Sequence, residues 1–411
     1  MCNQCGDANN LHQAPATPEL GRRKLLQVAG TTLAAAPLLG AWLPANAQAQ
    51  TSEASTLGQS PFAVQAYGAK STGGRIEPLH IQRRALGPND VLLDVLYAGI
   101  CHSDVHTVRG DWGAPALPCV PGHEIVGRVI AVGSAVTKFR VGDVGGVGCM
   151  VDSCGTCENC LADREQICLN RTTFTYNAPD KVSGGTTFGG YSDKIVVTEK
   201  FVIRIPPGMD LASTAPILCA GITTFSPIRH WRVTPGQSVA VLGLGGLGHM
   251  AVKLAVAQRA EVTVFTTTPS KIADAKRLGA REAVLWNDTA AFKRLANRFD
   301  LMISTVPYAF EVQPFMEVLK LDSTFVNVGL GEAKGISSMA MAFGRKSLAG
   351  SMIGGIAETQ EVIDHCFARN IRPDIELIRP DQINAAFDRV VGKDVRYRFV
   401  IDFASTKNNA A

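Results

Sequence analysis

Charge of one sign is scarce in this sequence. Forty Lys and Arg stand against 36 Asp and Glu, a formal net charge of +4, and no long basic run occurs beyond the first 24 residues. A nucleic-acid surface needs a concentrated basic face, so composition gives that class no support. No apolar run after residue 49 is long enough to cross a bilayer, which argues against a membrane-embedded body. No internal repeat is found, so a solenoid or propeller is excluded. The 40 glycines gather in short motifs rather than low-complexity tracts. What remains is a chain of 411 residues, 46% hydrophobic and 18% charged. That is a globular composition in a chain too long for one ordinary core, so two domains are expected.

The N-terminus is different in kind. "GRRKLLQVAG" (residues 21–30) closes a basic segment with Arg22, Arg23 and Lys24. An apolar stretch from Leu25 to Leu43 follows, diluted by Gly30, Thr31, Thr32 and Gly40 and interrupted by Pro37. "Ala45-Asn46-Ala47" and "Ala47-Gln48-Ala49" each present the small-x-small pattern of a cleavage site. We expect an export signal over residues 1–49, removed from the mature chain, with no stable membrane insertion afterwards. The arginine pair before a weak apolar run resembles the twin-arginine type, which implies export machinery as a partner and a periplasmic location. Residues 50–60 read as a flexible mature N-terminus.

Eleven cysteines are present. Four of them, Cys154, Cys157, Cys160 and Cys168, follow C-x2-C-x2-C-x7-C. So tight a cluster does not pair readily into two unstrained disulfides, but it can surround one tetrahedral zinc. An iron–sulfur cluster is the alternative. Four protein ligands leave no open position, so such a zinc would hold a loop rather than do chemistry. Cys119, Cys149 and Cys366 read as inert thiols.

A second set is dispersed. "AGICHSDVH" holds Cys101, His102, Ser103, Asp104 and His106; "VPGHEIVG" holds His123 and Glu124; "PILCAGIT" holds Cys219. Two thiolates and one imidazole make a Cys2His site with an open fourth position, the pattern of a catalytic zinc. Each piece alone is weak, since a lone Cys or His is more often structural.

The third motif is "SVAVLGLGGLGHMAVKLA". Ser238–Leu242 reads as a buried parallel strand, and Gly243, Gly245 and Gly248 form G-x-G-x-x-G, with Gly246 and Leu247 inside the turn. A helix is expected from His249. The glycines permit a tight turn and close approach of backbone amides to a pyrophosphate. Further strands are expected over 239–243, 262–266, 300–304 and 324–328. The end of the second strand lacks the Asp or Glu that would bond a ribose 2′-hydroxyl. Thr266, Thr267 and Thr268 stand there instead, then Ser270 and Lys271. Hydroxyls and a cation suit a 2′-phosphate, so NADP(H) is expected over NAD(H).

Taken in order from about Pro61 to Phe403, these motifs and the closing "DVRYRFVID" resemble the zinc-dependent medium-chain alcohol dehydrogenases, in particular their cinnamyl-alcohol-dehydrogenase-like branch. The resemblance implies an α/β fold: a GroES-like β-rich catalytic domain plus a Rossmann doubly wound parallel sheet. The expected segments are 50–220 for the catalytic domain with its four-Cys lobe, 221–353 for the NADP-binding domain, and 354–411 for a return to the catalytic domain. Two Zn2+ per chain and NADP(H) are implied, with hydride transfer between NADPH and an aromatic or aliphatic aldehyde.

Residue roles are carried over with the resemblance. Cys101, His123 and Cys219 would bind the catalytic zinc, and Glu124 would approach it transiently. Asp104 would orient His123. Ser103 would give the proton to the developing alkoxide, and His106 would relay it from solvent through the cofactor ribose. His102 would face the pyrophosphate, Thr223 would lie near the nicotinamide, and Asn327, Val328 and Gly329 would bond its carboxamide. Trp112 would wall the substrate pocket. A homodimer built on the cofactor domains is also implied. The competing readings are a polyol or sugar dehydrogenase of the same superfamily, an exported zinc-binding protein without catalysis, and a disulfide-stapled binding module.

Overall fold

Two sheets position the site, and each follows from its local sequence. The computed structural model describes residues 58–408. The leader and residues 50–57 lie outside the described residues, and with them the expected signal and cleavage sites.

The first sheet is built on Asp90–Ile100, "DVLLDVLYAGI". Almost every residue of it is buried, so it reads as a continuous apolar run rather than an alternating one. It pairs antiparallel with Ile125–Val132, Lys194–Thr198 and Arg398–Asp402. Val144–Val147 and Val202–Arg204 extend one side. Ile375–Ile378 joins the other, parallel to Arg398–Asp402. Val91, Leu93 and Val95 pack with Ile125, Val129, Ile195 and Phe399 in one core. Each such side chain stabilises the fold by roughly 1.5–3 kcal/mol.

The second sheet is wholly parallel, with spatial order 282–285, 261–266, 238–242, 299–304, 319–327, 347–350. This is a doubly wound sheet whose strand order reverses beside Ser238–Leu242, where such folds bind ligands. That strand is buried along its whole length. Val239 and Val241 face one layer with Met250, Ala251 and Leu254; Ala240 and Leu242 face the other with Phe265, Phe299 and Phe325. The strand expected over 324–328 begins earlier, at Leu319, because the preceding residues pair with Phe299 across a register irregularity.

The helix expected from His249 starts at Gly246. Glycine's poor helix propensity hides these first turns in the sequence. Contact requires it at Gly248, where a Cβ would stand 2.1 Å from the carbonyl oxygen of Gly243.

The helix Ala220–His230 starts directly after Cys219. Its Ile222, Phe225 and Ile228 share a core with Val362, Ile363 and Cys366 of helix Ile356–Ala368. The four-Cys segment is tied to that second helix. Glu165, nearly wholly buried, accepts from the backbone amide of Ile356 at 3.1 Å and faces Lys200 Nζ at 3.2 Å. Among the described residues no single helix is long and apolar enough to cross a membrane.

Candidate active site

Cys101 ends the first sheet's long strand and caps the helix His102–Arg109. Asp104, fully buried at that helix's third position, is the organising group. Its Oδ2 accepts from the Cys101 amide at 2.8 Å and from the Tyr191 hydroxyl at 3.1 Å. Its Oδ1 accepts from the Gly122 amide at 3.1 Å and meets His123 Nδ1 at 3.2 Å. A carboxylate can only accept, so Nδ1 carries a hydrogen, and in the neutral ring Nε2 then presents its lone pair. His123 Nε2 lies 3.2 Å from Cys219 Sγ, and Cys101 Sγ lies 4.0 Å from Cys219 Sγ.

One ligand atom from each of Cys101, His123, Glu124 and Cys219 lies within 4.8 Å of the others, and all four residues are buried. A tetrahedral zinc with bonds of about 2.3 Å sets its sulfurs about 3.8 Å apart, so the thiols fit such an ion. The two thiols lie in hydrogen-bonding contact, with either able to place its proton between them. Its hydrogen bond with Cys219 holds Cys101 well below the usual thiol range, against burial and with help from Arg398 and His123. Cys219 is pushed up by its hydrogen bonds with Cys101 and Cys149 and by burial. A cation between them would take that proton's place.

Among the described residues neither oxygen of the fully buried Glu124 has a hydrogen-bond partner; Oε1 has an ionic neighbour in Arg398 Nη2 at 3.1 Å. Burial raises its carboxyl to about 7 against the opposing pull of Arg398. An underfurnished buried carboxylate beside two thiols and an imidazole fits a metal as occasional fourth ligand. Gly99 makes room for it, since a Cβ there would stand 1.9 Å from Glu124 Oε2.

The other four cysteines also converge. Cys154 Sγ is 3.9 Å from Cys160 Sγ, and Cys157 Sγ is 4.0 Å from Cys168 Sγ. These are spacings for a single tetrahedral ion. Cys154 is lowered to about 5 by its hydrogen bond with Asn170 and by the Thr156 and Cys157 amides, so it is ready to ligate as thiolate. Burial raises Cys160 to about 11.

A cavity of about 710 Å³ runs from Cys101, His123 and Cys219 to the glycine-rich turn and on to the threonines after strand Glu261–Thr266. Gly243, Gly245, Gly246 and Leu247 line it. Gly248 does not, because it packs on Gly243.

Two family models match the chain: an alcohol dehydrogenase GroES-like domain over residues 87–207 and a zinc-binding dehydrogenase domain over 246–368. NADP-dependent alcohol dehydrogenase C 1 of Mycolicibacterium smegmatis is 51% identical over 347 residues, 84% of this chain and 99% of the relative. Aldehyde reductase YahK of Escherichia coli is 48% identical, over 82% of this chain and 98% of its own. Among solved structures, cinnamyl alcohol dehydrogenase SbCAD4 of Sorghum bicolor superposes with a TM-score of 0.81 at 40% identity, covering 83% of this chain and 98% of that one. The enzyme CAD of Helicobacter pylori, solved with NADP(H), gives 0.79 at 39% identity over 83% and 98%. The chain belongs to the zinc-type medium-chain alcohol dehydrogenases.

Within this medium-chain dehydrogenase, most expected site residues meet at the cavity. His102, Ser103, His106, Thr223, Val328 and Gly329 line it. Ser103 Oγ is 3.6 Å from Cys101 Sγ. Asp104 and Glu124 sit behind the ligands rather than on the wall. Trp112 lines the mouth, more than half exposed, and stacks on the His106 ring at 5.0 Å.

Two expected cofactor contacts lie off the cavity wall. Asn327 does not reach the cavity: its amide is taken up by the following loop, Nδ2 donating to the Gly331 carbonyl at 2.6 Å and Oδ1 accepting from the Gly329 amide at 3.3 Å. Ser270 is exposed and off the cavity, because it already has helical backbone angles at the start of Lys271–Arg277, which turns its side chain outward. Cys149, read above as an inert thiol, lines the cavity beside the ligands.

Thr266 and Lys271 are more enclosed than expected. Thr266 Oγ1 accepts from the Thr268 amide at 3.1 Å, and Lys271 Nζ donates to the Leu244 carbonyl at 2.8 Å. Thr267 is exposed on the wall.

Sequence reasoning missed several partners. Asp111 Oδ2 meets His106 Nδ1 at 2.7 Å. Its place in "RGDWG", five residues after His106, was a usable signal. Tyr176 stacks on His123 at 5.7 Å, and Tyr191 reaches Asp104 from a distant loop. Arg398 lies in the quoted closing motif, but nothing local shows that it reaches Glu124.

Proposed function

We propose that this chain is a zinc-dependent, NADP(H)-linked alcohol dehydrogenase that reduces an aromatic or medium aliphatic aldehyde, or runs the reverse. The observation that carries the reading is the convergence of Cys101, His123 and Cys219 at one end of a cavity whose other end holds a glycine-rich turn and a strand end, at Thr266, with no ribose-binding carboxylate. The names of the relatives, an NADP-dependent alcohol dehydrogenase and an aldehyde reductase, support it.

Cys101, His123 and Cys219 would hold the catalytic zinc, which supplies Lewis acidity toward a carbonyl oxygen. The glycine-rich turn would hold NADPH, which supplies a hydride for the carbonyl carbon. The chain itself manages the proton. Ser103 lies on the cavity wall two residues from a ligand and donates its hydroxyl hydrogen to the substrate oxygen. His106, one turn further along the same helix, returns a proton from solvent, since its side chain is partly exposed. Asp111 and Trp112 fix its ring. Thr223, buried at the first turn of helix Ala220–His230, bounds the nicotinamide end. Thr266, Thr267 and Lys271 would receive the 2′-phosphate. The apolar wall at Trp112, Tyr176, Met352 and Ile353 favours an aromatic or alkyl substituent over a polyol. Cys154, Cys157, Cys160 and Cys168 would hold the structural zinc.

The test is NADPH oxidation by the purified chain against aromatic, aliphatic and sugar substrates. Faster turnover of sugars or polyols than of aromatic and aliphatic aldehydes, or equal use of NADH, would reject the reading.

The same proposal extends to assembly. Ser347–Gly350 is an unpaired edge of the parallel sheet, and Met339 and Phe343 stand exposed on the helix just before it. A second copy pairing there would form the homodimer; Phe343→Glu should lower the solution mass to that of a monomer. The "GRRKLL" segment supports export of the folded chain through twin-arginine machinery to the periplasm. Folding first would load both cysteine sites where thiols stay reduced. Replacing Arg22 and Arg23 by Lys should leave the protein in the cytoplasmic fraction; unchanged fractionation would reject that route.

A further inference from the structure

His249 and Tyr397 have no part in the chemistry above, yet both are buried at the cofactor end of the cavity. His249 is fully buried, and neither ring nitrogen has a hydrogen-bond partner among the described residues. Burial lowers it to about 3, so the ring is neutral and acts as a flat apolar plate. Tyr397 lies parallel to it, with ring centroids 5.0 Å apart and planes 11° apart. The Tyr397 hydroxyl donates to Asp274 Oδ2 at 2.9 Å, which fixes the ring in its own plane. Lys271 Nζ stands 5.7 Å from the Tyr397 centroid and donates to the Leu244 carbonyl of the glycine-rich turn.

We propose that Tyr397, backed by His249, is the positioning residue that sets the NADP(H) preference of this enzyme by holding the Lys271 ammonium at the 2′-phosphate position. The inference rests on the NADP(H) reading of Lys271. An ammonium has three hydrogens; Leu244 takes one, and the ring face supports the charge without using a donor. Donors are therefore left over for an anion at the cavity wall, where Lys271 and Thr267 both stand. Without the ring, burial and the nearby charges of Arg396 and Lys393, which lower Lys271, act unopposed by an aromatic face. The flexible four-carbon stem can then swing elsewhere. Ser270, exposed and off the cavity, gives Lys271 no help there.

The experiment is calorimetric binding of 2′,5′-ADP and 5′-AMP to the full chain, with no turnover involved. Lys271→Ala tests the underlying reading: the preference for 2′,5′-ADP should fall at least tenfold. If it does not, the NADP(H) assignment of Lys271 fails, and this inference with it. Tyr397→Leu should lower 2′,5′-ADP affinity five- to twentyfold while 5′-AMP affinity changes less than twofold. Tyr397→Phe, which keeps the ring face, should stay near wild type. A Tyr397→Met variant, unbranched and of similar length, provides the same test where the Leu variant fails to fold. Equal loss for both nucleotides, or an unchanged ratio beside a collapsed one in Lys271→Ala, would overturn the role of Tyr397 alone.

Discussion

Asp104→Asn is a one-atom change whose cost can be worked out from its four partners. In the wild type, one oxygen receives the Gly122 amide and His123 Nδ1; the other receives the Cys101 amide and the Tyr191 hydroxyl. Asparagine offers one acceptor oxygen and one donor group, so two orientations exist. In the first, the oxygen stays with Gly122 and His123. The new amide then faces the Cys101 N–H, a buried donor at a helix start, which loses its acceptor at about 1–3 kcal/mol. Tyr191 adapts by rotating its hydroxyl to accept. In the second, Cys101 is satisfied, but the amide hydrogens face His123 Nδ1. That nitrogen must now accept, which moves its hydrogen to Nε2, the atom turned toward Cys219. An Nε2–H cannot ligate, and changes of this kind typically cost 10–100-fold in metal affinity.

Either orientation harms the catalytic centre and spares the four-Cys site, since Asp104 touches none of those four cysteines. The variant should therefore lose one zinc of about two on dialysis against a moderate chelator, with the second retained, and its unfolding midpoint should drop. Zinc per chain measured by atomic emission, followed against chelator concentration, decides the matter. An Asp104→Asn protein that keeps both zincs at wild-type chelator resistance would refute the tautomer argument.

Other perturbations separate the remaining parts. Asp111→Ala frees the His106 ring and should lower kcat by roughly 10–100-fold, within the range of general acid–base effects, without loss of zinc; unchanged steady-state kinetics would count against the relay. Cys157→Ser should remove one zinc per chain and loosen the segment that Glu165 fastens to Ile356, read as faster amide exchange at 354–358. Full protection there after zinc loss would show that the lobe is not a brace. Asp90 tests acid stability. Burial raises its carboxyl, but the Arg84 hydrogen bonds and charge, with the Gly87 amide and Thr198, outweigh that and hold it below the usual range. A depressed carboxyl contributes stability above its unfolded value of about 4, and that contribution is lost as pH falls through the lower folded value. Asp90→Asn should therefore cost about 1.5–3 kcal/mol at pH 7 and flatten the decline below pH 4, measured by urea unfolding. Parallel acid profiles for variant and wild type would contradict this.

The chemistry was legible in the sequence wherever a local pattern and a chemical need coincide. Cys154 to Cys168 lie within one short loop, and the loop's spacing predicts a shared ion. The strand Ser238–Leu242 and its glycines are contiguous, so the turn can be located, though helix propensity misplaces its first residue. No local pattern reveals the contacts of Asn327: it ends a strand at the right end of the sheet, but the next loop folds back and takes its amide. Ser270 lies off the wall because it caps a helix rather than sitting in an open loop.

The groups that were hidden are those acting through others. Arg398 reaches Glu124 only because Arg398–Asp402 pairs with Asp90–Ile100 in the antiparallel sheet. Tyr191 reaches Asp104, and Tyr397 reaches both His249 and Lys271, across long gaps in the chain. Ligand and proton-transfer residues must be of a few types, and those types show in a sequence. A supporting residue can be any group of suitable shape, because tertiary pairing rather than spacing brings it to its partner. The second kind therefore escapes a sequence reading even where the first is plain. It is also where this enzyme's particular properties are set: the tautomer of His123 by Asp104, the ring of His106 by Asp111, and the reach of Lys271 by Tyr397.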